Sequence, residues 1–295
     1  MNPPCIISAS RRTDIPAFYS EWFMNRIREG FLKVRHPFSQ KEIMVSLKPE
    51  DVAAIVFWTK NFQPMMGRLA ELEARGFFYL IHYTITGLRR DFEPNAPDTE
   101  ESVKLFQRLA ERIGPERMLW RFDPLILTRR IGEQETINRF EKLLARLSGS
   151  TRRVYFSFVQ LYARVKRGIR HYEARTGDVV LEPGLTTRQR IGQRLAELGR
   201  DRGLGIYACC QPELIGFGVE QARCIDAALI AKLVGKNWGA KPSPSREGCG
   251  CSYSLDIGAY DSCSHLCWYC YANSHPALVR KRQASHRTEA QFLVK

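Results

Sequence analysis

Residues 53–61 read Ala53-Ala-Ile-Val-Phe-Trp-Thr59-Lys60-Asn61, an uncharged apolar run closed by a hydroxyl, a cation and an amide. A short continuous apolar run with polar bounds reads as a strand buried on both faces. A helix is predicted from about Pro64 to Arg75, stopped by Gly76, and a second strand, Phe77 to Thr86, ends at Gly87. In that strand His82 and Thr84 share one face, and Tyr83 and Ile85 share the other. His82 is read as a core histidine held by a hydrogen bond.

The same strand-then-helix unit recurs on either side. Upstream, Cys5 to Ser10 is a buried strand, followed by Arg11-Arg12-Thr13-Asp14 and a helix from about Tyr19 to Glu29. Asp14 suits a helix cap or an Asx turn as well as a site. Residues 31–35 and 42–47 are read as a small strand pair around His36-Pro37-Phe38, with His36 structural. Downstream come a proline-marked loop (88–98), a helix from Thr99 to Ile113, and the strand Met118 to Phe122 ending in Asp123-Pro124. A helix over 133–147 and a strand over 154–158 follow. After a basic stretch from Arg164 to Arg170, residues 171–186 read as loop. A helix over 187–200 and a strand over 203–208 then deliver Cys209-Cys210. Six strands, each with a helix and polar residues where it stops, predict an α/β fold: a partial parallel (β/α)6 barrel of TIM-like type. A doubly wound sheet is the rival, weakened because no glycine-rich phosphate loop follows the first strand. The expected division is a barrel over 1–210 and a cysteine-rich metal-binding segment over 211–295 that folds over the barrel mouth.

All of the nine cysteines except Cys5 lie from Cys209 onward. Cys263, Cys267 and Cys270 are spaced at i, i+4 and i+7, which lets one compact loop aim three soft thiolates at one centre, suited to iron–sulfur or zinc. An open fourth position favours a [4Fe-4S] cluster. A histidine completing the set, His265 or His275, would favour a closed site. Cys224, Cys249 and Cys251 with either Cys209 or Cys210 make four more thiolates, enough for a second cluster or a structural zinc. Cys5 is read as a plain buried thiol. An odd, clustered cysteine count speaks against a secreted disulfide scaffold. The sequence has no long apolar span and no signal-peptide pattern, so a cytoplasmic protein without membrane attachment is expected. The formal charge of +14 favours polyanionic partners, though arginine serves phosphorylated metabolites equally well.

The loop Tyr260-Asp-Ser-Cys263-Ser-His-Leu-Cys267-Trp-Tyr-Cys270-Tyr-Ala-Asn273 resembles the cluster loop of radical SAM enzymes, in the version of the spore photoproduct lyase group. The whole chain resembles the DUF1848 family, through Ser8–Ala17, Val56–Asn61, Arg121–Pro124, Cys224–Asp226, Cys249-Gly-Cys251 and the final loop. The radical SAM resemblance implies a [4Fe-4S] cluster on Cys263, Cys267 and Cys270 whose open iron binds S-adenosyl-L-methionine. It implies reductive cleavage to a 5′-deoxyadenosyl radical acting on an unidentified small-molecule or nucleic-acid substrate, with an electron donor such as flavodoxin or ferredoxin. Two features depart from that pattern: the loop comes last in the chain, and Trp58-Thr-Lys-Asn61 stands where a Gly-Gly-Glu-like segment is usual. Arg11, Arg12, Asp14, Lys60, Asn61 and His265 are the expected cofactor-binding residues. Arg121, Asp123 and Tyr83 are the expected catalytic ones, with Tyr162 a further candidate. The alternatives are a non-catalytic iron–sulfur or zinc protein that binds nucleic acid, and an electron-transfer protein.

Overall fold

A computed structural model describes residues 4–37, 39–239 and 241–294, so Phe38 of the expected turn and the first three residues of the N-terminus lie outside the described residues. In chain order the first half contains β1 (Cys5–Ala9), α1 (Ile15–Phe18), α2 (Ser20–Glu29), β2 (Phe31–Arg35), β3 (Glu42–Ser46), β4 (Val52–Thr59), α3 (Gln63–Met66), α4 (Leu69–Ala74), β5 (Tyr79–Thr84) and α5 (Thr99–Ile113). The second half contains β6 (Met118–Arg121), β7 (Leu127–Thr128), α6 (Glu133–Leu147), β8 (Arg153–Phe156), α7 (Ala163–Thr176), β9 (Val180–Leu181), α8 (Leu185–Arg200), β10 (Gly205–Ala208), β11 (Val219–Gln221), α9 (Ala227–Val234), β12 (Leu255–Asp256) and α10 (Pro276–Ser285).

One eight-stranded sheet carries the fold, in the order β11-β10-β8-β6-β5-β4-β1-β12, and every neighbouring pair is parallel. All strands therefore end on one edge, where their polar terminal residues collect. Alternation sorts the side chains. Ile7, Ile55, Phe57, Ile81, Tyr83, Trp120 and Phe156 join the layer formed by α2, α5, α6 and α8. Ile6, Val56, Leu80, Leu119 and Tyr155 join a second cluster on the opposite face with Ile230 of α9 and several cysteines. Both faces are thus covered, as a parallel sheet requires.

The six predicted strands are β1, β4, β5, β6, β8 and β10, and the predicted 31–35/42–47 pair is the antiparallel β2–β3. Residues 171–186 are not simply loop. Val165, Ile169 and Tyr172 bury one stripe of an arginine-rich segment, so a helix runs to Thr176 and stops at Gly177 in the left-handed conformation. The helix expected over 64–75 is split into α3 and α4. The chain from 211 onward adds strands to the same sheet, β11 on one edge and β12 on the other, so both expected regions share one sheet.

Asp256 explains why so short a strand as β12 stays paired. Its carboxylate accepts from Ser8 Oγ (2.9 Å), Ser10 Oγ (2.6 Å), Arg11 N (2.8 Å) and Arg12 Nε (2.9 Å). Burial alone would raise its pKa, but the Arg12 charge and these hydrogen bonds hold it below the ordinary value. The final residues dock against α2: Trp22 Nε1 donates to Ala290 O, Asn25 Nδ2 donates to Thr288 O, and Leu293 is buried. Among the described residues no helix is long and apolar enough to cross a membrane.

Candidate functional site

The cysteine loop folds back onto the sheet edge where the strands end. Tyr19 Oη donates to Ser262 O (2.6 Å), Asn95 Nδ2 to Ser264 O (2.8 Å), Trp268 N to Phe92 O (3.0 Å), and Tyr271 Oη to Arg11 O (2.7 Å). Inside the loop, Asn273 Nδ2 donates to Cys263 O (2.7 Å), and Asp261 accepts from Ser274 Oγ (2.7 Å). Helix α7 presses on the outside. A Cβ placed on Gly168 would lie 1.9 Å from Trp268 O, and the His171 ring stacks on Trp268 at 4.0 Å.

Cys263, Cys267 and Cys270 are half-buried free thiols. Burial pushes all three above the ordinary thiol pKa. Backbone N–H groups nevertheless point at two of the sulfurs: those of His265 and Asp14 at Cys263, those of Ala272 and Asn273 at Cys270. The Ala272 N to Cys270 Sγ distance is 3.3 Å. Such donors suit thiolates, and hydrogen bonds to sulfur are one of the levers by which a protein tunes an iron–sulfur centre. This donor set fits a cluster ligated by three cysteines.

Two buried relays brace the loop. His265 Nε2 lies 2.8 Å from Asp14 Oδ2 and its Nδ1 lies 3.2 Å from Asn95 O. Asp14 also caps α1 through Ala17 N (2.9 Å) and accepts from Thr59 Oγ1 and Lys60 N. Both ring nitrogens of His265 face acceptors, so neither is turned to a metal. In the second relay Lys60 Nζ lies 2.9 Å from Glu93 Oε1, which also accepts from Thr86 Oγ1 (2.7 Å) and from Tyr269 Oη. Burial disfavours both charges. The Glu93 charge, with that of Cys267, holds the Lys60 pKa above its ordinary value. The Lys60 charge and three hydrogen bonds hold Glu93 below its own. Glu93 was missed in the sequence. Its only signal there is an acid set between Phe92 and Pro94 in the loop that joins β5 to α5.

Apart from Cys5, half-buried at the start of β1, the other cysteines gather on the second face of the sheet. Cys209 Sγ lies 3.4 Å from Cys224 Sγ and 3.8 Å from Cys210 Sγ. Cys249 touches Cys210 and Cys251, whose hydrogen bonds hold its thiol below the ordinary value. Contacts with Cys209 and Cys249 push Cys210 up. Five thiols thus form one run of contacts, Cys224 to Cys209 to Cys210 to Cys249 to Cys251, and both Cys209 and Cys210 belong to it. Among the described residues no three His, Cys, Asp or Glu side chains stand as a ready site for a single metal ion. Spacings of 3.4 and 3.8 Å are close to those that a tetrahedral ion with metal–sulfur bonds of about 2.3 Å spans, whereas a larger cluster must part the thiols. The donor chemistry still suits soft metals.

Arg121 and Asp123 belong to this second group. They pair with each other, Arg121 Nη1 donates to Cys224 Sγ (3.3 Å), and Ser157 Oγ donates to Asp123. His82 lies beside them as a buried core histidine, its Nε2 2.7 Å from Cys224 O and its ring stacked on Trp58. Arg12 is committed to Asp256, whereas Arg11 reaches Ser254 Oγ (2.9 Å) and sits 5.8 Å from the Trp58 ring. Three expected site residues fall elsewhere. Tyr83 packs edge-on to Phe106 in the sheet–helix layer, because its position in the strand alternation faces away from His82. Asn61 accepts from Gln63 N at the start of α3 (3.0 Å). Tyr162 is exposed and accepts from Arg246 Nη1 (2.6 Å).

A family model described as a domain of unknown function, DUF1848, matches residues 6–272. No curated protein and no solved structure matches the chain.

Proposed function

Because the chain belongs to DUF1848, a family without an assigned activity, we propose its function from its own chemistry: a radical SAM-like iron–sulfur enzyme acting on an unidentified small-molecule or nucleic-acid substrate. Cys263, Cys267 and Cys270 would hold one [4Fe-4S] cluster, and the five-cysteine group a second. When bound, the first cluster supplies an electron for the reductive cleavage of S-adenosyl-L-methionine, refilled by a donor such as flavodoxin or ferredoxin. The observation that carries this reading is the commitment of His265 to Asp14 and Asn95 O, which leaves three cysteines without that histidine as a fourth ligand. Lys60, Glu93 and Asp14 act on the loop through charge and hydrogen bonds. They hold it in shape and place a cation near Cys267.

We extend the proposal to the sheet, as a partial barrel with the cysteine segment over its mouth. Ser252 N donates to Ile225 O (2.9 Å), linking the chain just before β12 to the chain just after β11 at the opposite sheet edge. A second reading, a metal-stabilised nucleic-acid-binding protein, is favoured by one observation: α7 exposes Lys166, Arg167 and Arg170 beside the loop.

Anaerobic reconstitution with iron and sulfide, reduction, and chromatography for 5′-deoxyadenosine test the proposal. Cofactor cleavage that requires the three loop cysteines supports it. Tightly bound zinc, or iron without cleavage under reduction, overturns it in favour of the second reading.

A further inference from the structure

A cleft of about 230 Å³ opens beside the Lys60–Glu93 pair, between the turn that follows β5 and the first turn of α5. Lys60, Arg89 and Arg90 line it, as do the hydroxyl-bearing residues Thr86, Thr99 and Ser102. Its acids are occupied. Glu93 serves Lys60, Thr86 and Tyr269, and Asp98 caps α5 through Glu100 N (2.8 Å). Arg90 forms no ion pair among the described residues, and Arg89 has only a 3.7 Å approach to Asp91 with its side chain 79% exposed. The N-terminus of α5 is already met by Asp98 and by Glu100 and Glu101 in its first turn, so the basic side chains supply the positive charge of the cleft.

A separate observation points the same way. Arg139 of α6 lies against the cleft wall from behind. A Cβ on Gly87, which lines the cleft, would sit 2.9 Å from Arg139 Cγ, and Gly87 has φ +64°. Only glycine lets the arginine stem lie this close. Among the described residues Arg139 Nε and Nη2 are buried with no hydrogen-bond partner. Glu135 and Glu93 act on it only through space, and burial lowers its pKa to about 10. The half-buried guanidinium faces the Phe122 ring at 5.6 Å and forms no ion pair among the described residues, so its charge has no close counter-charge beside the cleft.

We infer that this cleft binds a compact oxyanion, the phosphate or carboxylate group of a small molecule, with Arg90 and Lys60 at its wall and the Arg139 charge behind Gly87. A guanidinium and an ammonium group are what such groups bind. The inference does not depend on either cysteine centre.

The test is calorimetric titration of the full-length protein with inorganic phosphate and, in a separate arm, with succinate. The arm that saturates identifies the chemistry. Both Arg139→Met and Arg90→Gln are expected to weaken that binding by about tenfold or more. Arg139→Met is also expected to melt no lower than the parent in anion-free buffer, because it removes an unpaired buried charge. Three results each overturn the inference: saturation by neither anion, unchanged affinity in Arg139→Met, or a lower melting temperature for that variant without anion. None of these readouts uses S-adenosyl-L-methionine, so a failure here is separable from a failure of cofactor cleavage.

Discussion

The two cysteine centres are built on opposite plans. The loop at 263–270 supplies two of its three sulfurs with backbone N–H groups and is braced by two charged relays. The group at 209–251 packs five thiols together on the second face of the sheet, with the Arg121 guanidinium against one of them. The first is half-open at the edge where the strands end. The second is mostly buried and fed by chain segments at both sheet edges. The difference teaches that cysteine count is a poor guide to role. What separates the two groups is the surroundings of the sulfurs: backbone donors at the loop, other thiols and a guanidinium at the second face.

Removing each set in turn gives the largest expected effect. Changing Cys263, Cys267 and Cys270 to alanine should abolish 5′-deoxyadenosine formation and leave about four irons on the other group. Changing Cys224 and Cys251 should lose the other share of iron and keep measurable cleavage. Iron analysis beside product chromatography reads both. If either variant loses all of its iron, the two-centre contrast is wrong.

Next in size is the relay under the loop. Lys60→Met strands the Glu93 carboxylate in the interior and should cost ~3–5 kcal/mol in urea denaturation. Its pH profile should also change sign. In the parent, Glu93 is depressed below 4.5, so its contribution is complete above that value and is lost as pH falls through the folded pKa. Lys60 is raised above 10.5, so its contribution is complete below that value and fades only as pH rises through its folded pKa. The parent should therefore weaken on acidification below 4.5, whereas Lys60→Met, relieved when Glu93 protonates, should gain relative to its own neutral value. A variant that weakens in acid like the parent would show that the pair does not brace the loop.

The smallest effect concerns packing. Gly168→Ala forces a methyl against Trp268 O and should cost ~1–3 kcal/mol with faster proteolysis of the cysteine loop. Gly67→Ala, whose Cβ position is open, should move the melting temperature little. Equal melting temperatures for the two variants would show that α7 does not clamp the loop.

Much of the frame was legible because it rests on local pattern. Ala53–Thr59 is apolar enough to be buried on both faces, and α5 and α6 run over the predicted 99–113 and 133–147. Misreadings came where a weak local pattern was completed by distant chain. Segment 163–176 carries five cations, and its helix depends on Val165, Ile169 and Tyr172 meeting Leu88, Phe92 and Ile126. Strand β12 has two residues, and only Asp256 meeting Ser8, Ser10 and Arg12 makes it a strand. Of the site, the cysteines, Asp14, Lys60 and His265 were picked from sequence, but not their pairings.

The sequence by itself determined the six core strands, the long helices and the two sets of cysteines, because hydrophobic period and residue chemistry act over a few neighbouring positions. Tertiary structure alone decided that Arg121 serves Cys224, that Lys60 is bound to Glu93, that Tyr83 faces the helices, and that His265 is held by Asp14. Those outcomes join residues tens to hundreds of positions apart. No local propensity encodes which buried charge will find which partner, and only the assembled sheet edge brings them within hydrogen-bonding distance.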